Sequence, residues 1–312
     1  MPALLALGEE RGTDGAACAD AFIAGVEVMA RLGEAVNMTH YFKGWHTTST
    51  LGAPAAAAAC ARLLGLDTAR TTAALSQATS LASGAKRQFG TMAKPRERLE
   101  AALATFDGPP AVERYGLWQK VYPCCGSAHR PLDALLAMRG DGDVPPQSVA
   151  EVDALLPEIA VQNLPYRDPA DAMQARFSLP YLLASALVDG RLALDAFGEG
   201  ALTRPDVRAL SSKVQARPDP TQPGDANVDV VPLRATVTLT LAGGETRSKT
   251  VRDPRGHPAR PLGRNDLYAK FVDCASRALP PAAHDAAFEA LDGLPAARGL
   301  DTLARHLGAG HG

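Results

Sequence analysis

Residues 43–66 read KGWHTTSTLGAPAAAAACARLLGL, a polar head joined to a tail built almost wholly of small residues. His46, Thr47, Thr48, Ser49 and Thr50 make up the head. From Pro54 to Leu64 alanine recurs at nearly every turn, which predicts a helix that neighbours approach closely on several sides, ended by Gly65. Such a helix belongs inside a bundle. Its start gathers hydroxyls, one imidazole and unpaired backbone N–H groups, a combination suited to a carboxylate or another anion, although Ser and Thr are also ordinary helix caps.

The flanking sequence extends the helical reading over the first third of the chain. Helices are expected at Pro2–Glu10, Asp14–Val36 and Thr68–Ala82, with Thr13 or Asp14 capping the second and Asp67 or Thr68 the last. Phe22, Val26, Met29 and Leu32 fall on one stripe of the second helix. After Gly84 the segment AKRQFGTMAKPRERLE crowds Lys86, Arg87, Lys94, Arg96 and Arg98 without an apolar period; it suits a loop facing anions or a solvated linker.

From Trp118 onward Pro and Gly become frequent and strand patterns begin. EVDALLPEIAV is a candidate strand, and Leu233, Ala235, Val237, Leu239 and Leu241 alternate before a turn at Gly243-Gly244 and a return strand through Thr246–Val251. Helices His129–Arg139 and Ala170–Val188 are interleaved, the latter bent or broken at Pro180. Helical periodicity returns in NDLYAKFVDCASRAL. The predicted fold class is α+β: a discontinuous all-helical domain at 1–116 and 257–312, with a smaller α+β lid domain at 117–256 and the ligand cleft between them.

Composition narrows the function classes. The 312 residues are 46% apolar and 21% charged, with 32 Lys and Arg interspersed among 34 Asp and Glu for a net charge of −2. Nucleic acid and membrane surfaces therefore lose their electrostatic footprint as partners, and the longest apolar run is too short to span a bilayer. Five scattered cysteines fit a reducing compartment, so a cytoplasmic location is expected. Cys124, Cys125 and His129 invite a metal reading, but no second ligand pair completes four, and no metal or other cofactor is expected.

Four ordered motifs, GWHTTSTLG, GTMAKP, WQKVYPCCGSAH and ARFSLPYLLASALVDG, together with GHPARPL at Gly256–Leu262, resemble the MmgE/PrpD family. That family includes 2-methylcitrate dehydratase, cis-aconitate decarboxylase and iminodisuccinate epimerase. The resemblance implies a metal-free lyase of small di- or tricarboxylates, most like 2-methylcitrate dehydratase, with a related decarboxylase or epimerase as the alternative, acting as a homodimer. Matching positions give His46, Lys94, Lys120 and Tyr181 as catalytic candidates, with Thr47, Thr50, Lys86, Arg87, Cys125 and His129 as substrate-binding ones. The chemistry is coherent: removing a proton α to a carboxylate builds an enediolate-like dianion, which needs a base and fixed cations around its oxygens. His46 would be that base or its conjugate acid, Lys94 and Lys120 would hold carboxylates, and Tyr181 would protonate a leaving group or carbanion.

Against the family pattern the chain opens inside the helical domain, before which an aspartate- and histidine-bearing segment is expected, and Lys94-Pro95 runs almost directly into RERLEAALATF. A truncated or vestigial protein stabilised by a partner chain is therefore the rival expectation. It carries the corollary that the first helix leaves Leu4, Leu5 and Leu7 uncovered.

Overall fold

The computed structural model describes residues 1–42, 45–82, 108–140, 144–222 and 233–308. Their proximity divides the chain into two units, Met1–Leu117 with Ala275–Gly312, and Trp118–Cys274. The expected return of the helical part at 257 thus differs from this grouping, because helix 264–275 is tied to the second unit. Its Asp273 accepts from the Leu194 N–H at 3.0 Å, and its Asp266 pairs with Arg255.

The first unit begins with α1 (Pro2–Arg11), α2 (Gly15–Phe42), α3 (Thr47–Leu63) and α4 (Thr68–Leu81). Two expected caps are in place: Asp14 accepts from Ala17 N at 2.7 Å and Asp67 from Arg70 N at 2.8 Å. The alanine helix is longer than its sequence suggests. It starts at Thr47 rather than at Pro54, so the hydroxyl-rich head forms its first turn and the proline sits inside, where its missing N–H leaves the Thr50 carbonyl without its helical donor.

Small residues set the approach of these helices. A Cβ on Gly25 of α2 would lie 2.9 Å from both the Ala55 carbonyl oxygen and the Ala59 Cβ of α3. The fully buried line of α2 therefore runs through Cys18, Ala21 and Gly25, while Phe22, Val26, Met29 and Leu32 are only half-buried. Leu4 of α1 is buried with Ala21 and Ala59, so the expected uncovered first helix is not what forms: Leu4 is covered, and Leu5 and Leu7 are partly covered. The C-terminal segment closes the unit where Gly15 N donates to Ala297 O at 2.8 Å, beside a cluster of Cys18, Leu294, Leu300 and Leu303.

The second unit carries a four-stranded sheet in the order β2-β1-β3-β4, with β1 (Val149–Leu156), β2 (Val214–Pro218), β3 (Ala235–Leu241) and β4 (Thr246–Val251). β1 runs parallel to β2 and antiparallel to β3, which forms the expected hairpin with β4. Ala235, Val237 and Leu239 point into the core as their alternation predicts. The first expected strand is shorter than EVDALLPEIAV, because Pro157 cannot extend the ladder and instead opens the short helix Glu158–Gln162. The helices α5 (His129–Gly140) and α6 (Leu179–Asp189) supply the other half of the core. Of the two expectations at Pro180 the break is what forms: one helix ends at Ala175, Ser178 caps α6, and Pro180 occupies its first turn, where no N–H is needed. Later in the chain come the helices α7 (Pro205–Ser211) and α8 (Arg264–Ala275).

Two glycine substitutions should move stability in opposite directions. Gly25→Leu gains helix propensity of about 1 kcal/mol but overpacks the α2–α3 contact, for an expected net loss of about 2 kcal/mol. At Gly52 in α3, no described residue lies within 4 Å of an added Cβ, so Gly52→Ala should stabilise, by up to about 1 kcal/mol. Urea midpoints with unchanged far-UV circular dichroism check both.

Candidate functional site

The expected site residues that fall in described segments lie partly in each unit, and Lys86, Arg87 and Lys94 lie outside the described residues. In the helical unit His46 is the N-cap of α3, its Nδ1 accepting from Ser49 N at 3.4 Å. A nitrogen that accepts carries no proton, so the neutral ring holds its proton on Nε2. Thr50 Oγ1 lies 2.8 Å from His40 Nε2, and His40 stacks on Trp45 at 5.9 Å. The Thr50 hydroxyl thus ties the end of α2 to the start of α3. His46 remains exposed and Thr47 half-buried beside it.

In the sheet-bearing unit one short stretch organises the polar residues. Segment 118–122 is held by backbone pairing of Gln119 N to Gly256 O at 2.8 Å. Gly256 adopts φ +83°, and a Cβ there would stand 1.9 Å from the Gln119 carbonyl oxygen, so only glycine permits the docking. Lys120 projects from this segment, its Nζ donating to Cys124 O at 3.4 Å, and its side chain passes over Gly126.

Behind the segment lies His129 at the start of α5, with no solvent exposure. Its ring meets Tyr122 edge-on at 5.2 Å and Trp118 at 6.3 Å. The Tyr122 and Cys124 carbonyls lie close enough to favour its protonation slightly, yet neither completes a well-aligned hydrogen bond, and both ring nitrogens lack a partner among the described residues. Burial, reinforced by the Lys120 charge, holds the imidazole down to about 4. A complete burial also keeps His129 from touching a ligand in solvent, whereas Cys125 is half-buried and Lys120 exposed. The Cys124 thiol is pushed up to about 12 by burial.

Asp133, one turn after His129, is the acidic residue that sequence reasoning passed over. It is buried and accepts from the Tyr122 hydroxyl at 2.6 Å, from Arg255 N at 2.6 Å and from Arg260 at 3.2 Å. The only sequence signal was its i+4 spacing from His129, which suggests a His–Asp pair that does not form. Tyr181 is also placed differently from an open proton donor. Its ring is buried in α6 and its hydroxyl donates to the Ala196 carbonyl, so transferring a proton to a ligand would require releasing that bond. Burial raises its pKa. Among the described residues no group of three His, Cys, Asp or Glu side chains is arranged to hold a metal ion, and no helix is long and apolar enough to cross a membrane.

The sequence matches two family models in succession: the MmgE/PrpD N-terminal domain over residues 1–113 and the MmgE/PrpD C-terminal domain over residues 122–292. The chain belongs to the MmgE/PrpD family. Within it, similar curated proteins include the human cis-aconitate decarboxylase, 27% identical over 308 residues and covering 83% of this chain and 62% of that protein. The mouse cis-aconitate decarboxylase is 26% identical over 309 residues, with 83% and 61% covered. One from Aspergillus terreus is 26% identical over 294 residues, with 76% and 59% covered. The chain therefore spans about three-fifths of the length of the relatives it matches. The MmgE/PrpD C-terminal match begins at Tyr122, two residues after Lys120, and contains Cys124, Cys125, His129, Asp133, Tyr181 and Gly256.

Two measurements test this geometry. Gly256→Ala combines a strained backbone with a clash against Gln119 and should destabilise the sheet-bearing unit by at least about 1–3 kcal/mol, read as a lower urea midpoint. The second concerns His129, whose ring titrates at the ordinary 6.5 when unfolded and near 4 when folded. Above pH 7 both states are neutral and nothing is lost; as pH falls from 6.5 towards 4, only the unfolded chain takes the proton. Stability should then decline by about 3 kcal/mol across that window, and His129→Phe should flatten that part of the profile.

Proposed function

We propose that this protein is a lyase acting on small di- or tricarboxylates, with cis-aconitate as the first substrate to test. The observation that carries the reading is Lys120: an exposed ammonium, held at the Cys124 carbonyl on a segment pinned by Gly256, two residues before the C-terminal family match begins. Loss of CO2 leaves the electron pair of the broken C–C bond on carbon, where a neighbouring unsaturated carboxylate delocalises it until a proton arrives. Dehydration instead removes a proton α to a carboxylate and expels hydroxide. Both pass through a carbanion whose charge spreads onto carboxylate oxygens, and a fixed cation beside those oxygens lowers the barrier.

In this reading Lys120 holds the substrate carboxylate with Cys125 beside it, and Lys94 supplies a second cation. His46 donates a hydrogen bond from Nε2 to a developing oxyanion. Acting as a base through Nε2 would require it to move its proton to Nδ1 and give up the Ser49 bond. Thr47 assists at the same helix start, and Tyr181 serves once released from Ala196. The reaction asks for no metal, and the protein works as a cytoplasmic homodimer. The names of the curated relatives favour decarboxylation, while 2-methylcitrate dehydration draws on the same cations.

The purified protein should convert cis-aconitate, 2-methylcitrate or iminodisuccinate in an NMR time course, with turnover unchanged by a chelator. Lys120→Met removes a charged hydrogen-bond donor and should lower kcat/KM about 10- to 100-fold. No conversion of any of the three by folded protein would overturn the assignment and favour a protein that has lost catalysis.

A further inference from the structure

We infer that His129 is a positioning residue: its ring, wedged between Trp118 and Tyr122, sets the place of the Lys120 ammonium through the Cys124 carbonyl. The inference rests on Lys120 being the carboxylate-binding cation.

Three observations converge. Trp118 and Tyr122 lie two residues before and two after Lys120, and the imidazole packs edge-on against both, so one ring braces both ends of the segment from which the lysine projects. The Tyr122 and Cys124 carbonyls both bear on the imidazole, and the Cys124 carbonyl is the one that accepts from Lys120 Nζ. Finally, the described bonds of Asp133 go to Tyr122, the Arg255 amide and Arg260 rather than to the histidine.

A buried polar ring with no partner for either nitrogen among the described residues costs stability, and an apolar ring of similar size would avoid that cost. What an imidazole offers and a phenyl does not is an N–H at the edge facing two carbonyls. A small movement of the segment aligns that N–H with the Cys124 carbonyl, which then has two donors and holds the lysine in one place. An acid partner would have charged the ring and set a second cation against Lys120; without one the ring stays neutral.

Two variants separate positioning from packing. His129→Phe keeps the ring and loses the N–H; His129→Gln keeps an N–H of similar reach and loses the ring. Each is compared with native full-length chain by the 13C-dimethyl-lysine resonance of Lys120, assigned by its loss in Lys120→Arg. Binding of tricarballylate, an unreactive tricarboxylate, and the thermal midpoint are measured alongside. Positioning predicts that His129→Phe shifts the Lys120 resonance and weakens tricarballylate about tenfold, while His129→Gln keeps affinity within about threefold even where its midpoint is lower. The inference is overturned if His129→Phe matches the native chain in resonance and affinity, or if affinity simply follows the midpoint in both variants. Native chain that fails to bind tricarballylate, with the Lys120 resonance still displaced by His129→Phe, would sink the carboxylate reading and leave the positioning role standing.

Discussion

The pairing of the Gln119 and Gly256 backbones holds the sheet-bearing unit's chemistry in place. Residues 118–122 lie outside the ladders of the sheet, so their amide groups need partners elsewhere. Gly256 meets that need with φ +83° and by leaving room where any side chain would strike Gln119 O. Once the segment is fixed, Trp118, Lys120 and Tyr122 have defined positions, and everything polar around α5 arranges itself against them.

Charge is distributed sparingly around that segment. Asp133 is buried, and its carboxylate is balanced by a tyrosine hydroxyl, a backbone amide and one arginine, which makes it structural. His129 is buried without a charge, and Cys124 is held as a thiol. Lys120 is left as an exposed cation on the pinned segment.

The helical unit follows a different rule, that of close approach. Gly25 facing Ala55 and Ala59 lets α2 and α3 pack nearly backbone to backbone, and Gly15 does the same against Leu294. Close helices make the junction between α2 and α3 short, and the His40–Thr50 bond closes it. His46 therefore caps a helix whose start is held from the side by its neighbour.

Local sequence determined much of this. The 2-residue alternation from Ala235 to Leu239 specified the hairpin face, Asp14 and Asp67 specified helix starts, and the small-residue tail specified a buried helix, because each depends on contacts within a few residues. The family was legible in the ordered motifs for the same reason. Proline was harder to read: Pro180 marked a real break, whereas Pro54 was tolerated inside α3, since the cost of a missing N–H depends on whether the helix has already begun. Only tertiary structure decided which of two adjacent polar residues would be satisfied. His129 and Asp133 share one face of α5, yet Asp133 gained three donors from residues 11 to 127 positions away and His129 gained no hydrogen-bond partner among the described residues. Partners that distant in sequence leave no local period or spacing, so burial and pairing become readable only when the chain has folded.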